Sequence, residues 1–180
     1  MGGDQHLETF ERIVGQAEED VFVLSTFITP HEGKYTERHE RIRIALERAC
    51  LRGVRCHLFY GTVLDAERKN AIAMQELNVR LSSVRNARGF VLAHRDSVRS
   101  HVKCIAADDG QGGAVVLLGS SNWLSSPFSA VELSVELTES QAAAAGLDLL
   151  RSIISPLSSA SRSIETLQFM RRHATPAKCG

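Results

Sequence analysis

A chain of 180 residues with 43% hydrophobic residues is long enough for one well-buried domain and too short for two of ordinary size. Its 21 Lys and Arg balance 21 Asp and Glu, so nonspecific affinity for a polyanion is weak unless a partner contributes. No apolar run reaches the roughly eighteen residues of a membrane span, and the N-terminus, with Asp4, Glu8 and Glu11, lacks a basic, apolar signal pattern, so a cytoplasmic protein without stable membrane association is expected.

His6 to Glu18 sets Leu7, Phe10, Ile13, Val14 and Ala17 at helical spacing, which predicts an amphipathic helix packed on a sheet. Val21 to Ile28 is a near-continuous apolar run; hydrophobicity without alternation implies burial on both faces, as at the centre of an α/β sheet. Thr29 to Thr36, with Pro30 and Gly33, reads as a loop leaving the strand's C-terminal end, where α/β proteins bind ligands. A second helix is expected over Glu37 to Arg52, with Gly53 as its C-cap, followed by a strand from Val54 to Tyr60. Asp65 caps a third predicted helix through Leu77, and Val79 onward holds a short strand and a long arginine-rich loop. A strand over Ser100 to Ala107, the turn Asp108 to Gly113 and a strand over Ala114 to Leu118 form a predicted hairpin. A loop from Gly119 to Ser129, a strand from Val131 to Leu137 and a helix from Gln141 to Ile154 complete the order. Beyond Pro156, Ile164, Leu167, Phe169 and Met170 suggest a short docking helix with a frayed end. There is no internal repeat and no linker, which predicts a single domain over residues 1–180.

The hairpin carries the chemistry. His101, Lys103 and Asp108 stand in the order H-x-K-x-x-x-x-D, and Gly119, Ser120 and Asn122 follow as G-S-x-N. Side chains two apart on a strand leave the same face, so the hairpin brings a nucleophile, a fixed cation and hydrogen-bond donors to one phosphate-sized place. These two motifs resemble the signature of the phospholipase D superfamily. The order of apolar strand, helix and strand before them agrees, as does Glu132 on the strand after the G-S-x-N loop. The gap between Asp108 and Gly119 is longer than is usual in that family; the added residues are mostly Gly and Asp, which reads as a longer turn. The resemblance implies an α/β fold with a phospholipase D-like mixed central sheet flanked by helices on both faces.

It also implies roles. His101 attacks phosphorus to form a phosphohistidine, Lys103 and Asn122 bind the non-bridging oxygens, Ser120 assists at the same phosphate, and Glu132 is the carboxylate expected at the His101 ring Nδ1. Asp108, named by the motif, sits at the turn, where a short carboxylate commonly holds loop structure by hydrogen bonding. No cofactor and no metal are expected: the four cysteines, Cys50, Cys56, Cys104 and Cys179, contain no C-x-x-C pair. His31, His39, His57 and His94 lack partners at ligand spacing, although His31 and His94 are placed to border a groove. Trp123, beside Asn122, reads as packing under the loop rather than as a base-stacking platform.

The mechanism needs a second histidine to protonate the leaving group, yet the motif occurs once. Single-motif members of the family, mostly nucleases, are homodimers that share one site; members with two motifs, including phospholipases and cardiolipin synthases, carry both in one chain. The sequence therefore reads either as a homodimer or as one half of a longer protein with a second motif. Arg80, Arg85, Arg88, Arg95, Arg99 and Lys103 face a single acid, Asp96, while Cys104 to Leu150 has no Lys or Arg. Arg85, Arg88, Arg95 and Arg99 are thus either solvated surface or the approach path of a nucleic acid, DNA ahead of RNA, whose phosphates supply most of the binding affinity. The leading expectation is a metal-independent nucleic-acid endonuclease. The alternatives are a phospholipase or phosphatidyltransferase, which requires an apolar rim, and a non-catalytic binding or dimerisation module.

Overall fold

The computed structural model describes residues 3–28, 36–61, 67–81, 87–94, 97–98, 100–125 and 132–154. In chain order these form α1 (Gly3–Gln16), β1 (Asp20–Ser25), α2 (Thr36–Arg52), β2 (Arg55–Tyr60), α3 (Glu67–Leu81), β3 (Phe90–Ala93), β4 (Lys103–Asp108), β5 (Ala114–Gly119), β6 (Ser134–Leu137) and α4 (Ser140–Ile154). The six strands make one mixed sheet in the order β3-β2-β1-β4-β5-β6. β1, β2 and β3 are parallel neighbours, with α2 and α3 as the crossovers that parallel pairing requires. β4 runs antiparallel to β1, and β5 and β6 continue antiparallel.

All six residues of β1 are buried, as its unbroken apolar run requires of a strand in mid-sheet. One face of the sheet is covered by α1, α2 and α3 through Leu7, Phe10, Ile13, Val14, Ile42, Leu46 and Met74. The other carries α4 through Ala143, Leu147, Leu150 and Ile154, packed on Phe22, Cys104 and Val116. Each fully buried Leu, Ile, Val, Phe or Met among them contributes roughly 2 kcal/mol of transfer free energy. The expected mixed sheet with helices on both faces is therefore what forms.

Side-chain hydrogen bonds move several boundaries away from those the apolar pattern suggests. β1 stops at Ser25 rather than Ile28 because the next amides leave the ladder: Thr26 and Phe27 N–H donate to Asn122 Oδ1, and Ile28 N–H to Asn70 Oδ1. β4 starts at Lys103 rather than Ser100, since the Val102 amide donates to Ser100 Oγ at 3.2 Å. α1 ends two residues early, where the Glu18 and Glu19 amides turn to the Asp108 carboxylate. Gly53 does cap α2: at φ 110° it occupies the left-handed region that favours glycine, and Val54 N–H donates to Ala49 O at 3.0 Å. The expected docking segment at Ile164 to Met170, the loop from Thr29 to Tyr35, and Cys179 lie outside the described residues.

Candidate active site

β1 ends, β4 begins and β5 ends at one edge of the sheet, with Lys103 opposite Gly119 across the ladder. Gly119 is required there by close approach: a Cβ would stand 2.6 Å from Leu133 O, so any other residue pushes β6 away. Residues 120–125 after it include Trp123, which reaches α1. Trp123 is buried, its ring 5.5 Å from that of buried His6, and His6 Nε2 lies 3.2 Å from Ser134 Oγ. Trp123 thus packs beneath the loop.

His101, Lys103, Leu118, Gly119, Ser120, Asn122, Leu133 and Val135 line an open groove of about 660 Å³. His101 is exposed, whereas Lys103 is only 5% exposed. The Lys103 Nζ lies 2.8 Å from His101 Nδ1 and donates to the His101 carbonyl at 2.8 Å. Burial lowers the Lys103 pKa from its ordinary value, and the charge of Glu132 opposes that shift. Asn122 spends its amide oxygen on the Thr26 and Phe27 N–H groups, at 3.1 and 3.2 Å. Its Nδ2 is left as the donor for the groove. Ser120 Oγ donates to Glu132 Oε2 and accepts from Leu133 N–H at 3.1 Å.

The structure thus gathers His101, Lys103, Ser120 and Asn122, with Glu132 joined through Ser120. The ring contact differs from expectation: the ammonium of Lys103 stands at His101 Nδ1, where a carboxylate was anticipated. Asp108 stands apart, at the opposite end of β4, about 17 Å along the strand at 3.3 Å per residue. Its carboxylate accepts from the amides of Glu18, Glu19 and Asp20, each at 2.8 Å, and of Gly110 at 3.2 Å. The side chain holds the turn and is absent from the groove. Arg88, too, is at the far end of the sheet: its Cβ is 3.6 Å from the Cβ position of Gly53, which precedes β2, while the groove lies beyond the other ends of the parallel strands. Arg85, Arg95, Arg99 and His31 fall outside the described residues. His94 belongs to a stack on the α4 side, its ring 4.1 Å from Phe59 and its Nε2 3.3 Å from His57 Nδ1.

Two supporting residues escaped the sequence reading. Thr26 is buried and donates from Oγ1 to His101 O at 3.2 Å, and buried Asn70 donates from Nδ2 to Thr26 O at 3.0 Å. A polar pair in the Ser25-Thr26 exit from an apolar strand was the available signal for the first; nothing in α3 marked Asn70. Among the described residues no group of three or more His, Cys, Asp or Glu is placed to hold a metal ion, and no helix is long and apolar enough to cross a membrane.

No family model and no curated sequence matches this chain. Among solved structures, NucT from Helicobacter pylori shares the fold with a TM-score of 0.55, covering 85% of this chain and 89% of that one at 16% identity.

Proposed function

We propose that the chain is a metal-independent phosphodiesterase acting on nucleic acid, with His101 as nucleophile. The observation that carries the reading is the convergence of His101, Lys103, Ser120 and Asn122 on one groove. A phosphodiester bound there places its non-bridging oxygens against the Lys103 ammonium and the Asn122 Nδ2, which stabilise charge as it develops on them. The Nε2–P bond forms as the P–O bond to the leaving group breaks; water then cleaves P–N and restores the ring. A second imidazole protonates the leaving oxygen, and in this reading it is the His101 of a second copy across a two-fold axis. The exposed apolar rim of the groove, Leu133 at 75% and Val135 at 53% exposure, supports contact with such a copy.

The same rim favours a second reading, a phospholipid diester with its chains on Leu118, Leu133 and Val135. Hydrolysis in EDTA of bis(p-nitrophenyl) phosphate, plasmid, single-stranded DNA, RNA and phosphatidylcholine vesicles separates the two. The expected result is cleavage of the small diester and of nucleic acid, with the vesicles intact. Cleavage of vesicles alone selects the lipid reading, and activity that vanishes in EDTA and returns with Mg²⁺ overturns the metal-independent mechanism.

A further inference from the structure

We propose that Lys103 is a tautomer gate, holding the unliganded His101 ring in a form that cannot attack phosphorus until a phosphate draws the ammonium away. This rests on the reading of His101 as nucleophile and adds a control to it. An ammonium has three donors and no acceptor, so at 2.8 Å from His101 Nδ1 it occupies that nitrogen's lone pair. A neutral imidazole carries one N–H and one lone pair. With the Nδ1 lone pair engaged, the proton is on Nε2, which can donate but has no pair to give to phosphorus.

The contact is built into the fold. Lys103 is 5% exposed, its Nζ also donates to His101 O at 2.8 Å, and that carbonyl is held by Thr26 Oγ1 at 3.2 Å. A phosphodiester brings negative charge to the groove that Lys103 lines. A charge-assisted bond to an anionic oxygen is stronger than one to a neutral ring nitrogen, so the bound phosphate competes for the ammonium. Once Nδ1 is vacated the ring exchanges protons: Nε2–H passes to water and Nδ1 takes one from water, with no net change. His101 is exposed, so water can accept the new Nδ1–H. Lys103 is then a positioning residue in the resting site and a phosphate ligand in the occupied one.

Long-range ¹H–¹⁵N correlation of the imidazoles in the ¹⁵N-labelled full chain, at a pH of about 8 where an ordinary imidazole is neutral, reads the tautomer directly. His101 is assigned by the signal that His101→Gln removes. The expected result is Nε2–H in the free protein, conversion toward Nδ1–H on titration with inorganic phosphate, and no conversion in Lys103→Met. A ring that rests as Nδ1–H, a wild-type ring unchanged by saturating phosphate, or a Lys103→Met ring that converts as the wild type does would each overturn the gate. These signals do not depend on turnover, so failure of the proposed activity and failure of the gate are scored separately.

Discussion

Lys103 draws its leverage from burial. A cation taken out of water keeps its proton less firmly, and the Lys103 pKa is accordingly lowered from 10.5, with Glu132 opposing the shift. Only the protonated form attracts a phosphate, so on the proposed reading the Lys103 contribution to diester affinity is complete below the lowered pKa and is lost as pH rises through it. The alkaline limb of that affinity, read by titration with dimethyl phosphate, should therefore lie below pH 10.5. Glu132→Gln removes the negative charge that supports the protonated form, and the limb should move to still lower pH. A limb unmoved by Glu132→Gln would mean that another group sets it. That His101, Lys103, Ser120 and Asn122 would share a groove was legible because motif spacing names residues directly. What spacing does not carry is which hydrogen-bond partner a side chain chooses in three dimensions. That is why Lys103 at His101 Nδ1, and the support from Thr26 and Asn70, were not foreseen.

At the scale of elements, the sheet was readable wherever burial set the pattern. β1, the hairpin of β4 and β5, and the α2–Gly53–β2 passage follow from unbroken apolar runs and a glycine cap. The boundaries that moved are those where a polar side chain intercepts backbone amides, as Asn122 and Asn70 do after Ser25 and Asp108 does after α1. Hydropathy carries no trace of such bonds. Asp108 fastens the entrance of β1 to the turn leaving β4. Its Ala variant leaves four amides without their acceptor. Allowing for partial access of water, the cost should be about 3 kcal/mol, read as a lower denaturant midpoint, while cleavage per folded molecule is retained. A variant of wild-type stability with lost cleavage would return Asp108 to the chemistry.

At the scale of the whole molecule, one groove with one motif histidine has to be completed from outside itself if it is to work as proposed. Among the described residues, Leu133 beside the edge strand β6 and Val135 on it are the exposed apolar side chains that line it. Replacing both with Glu should leave the fold intact, since neither is buried, and should shift sedimentation from dimer to monomer with loss of turnover. A double variant that still sediments as a dimer would place the interface elsewhere. Mixing wild-type with His101→Ala chains extends the argument: with free exchange, activity should fall roughly as the square of the wild-type fraction, because a composite site fails when either histidine is missing.

The central claim, that His101 Nε2 takes the phosphoryl group, is tested most directly by trapping the intermediate. Wild-type chain turning over bis(p-nitrophenyl) phosphate in EDTA is quenched under denaturing alkaline conditions, where a P–N bond survives, and its peptides are weighed. A p-nitrophenyl phosphoryl adduct on the peptide holding His101, with one aryl ester kept on phosphorus and one p-nitrophenolate released, absent from His101→Ala, is the predicted result. Turnover at full rate with no adduct at any quench time, or an adduct that persists in His101→Ala, would contradict it.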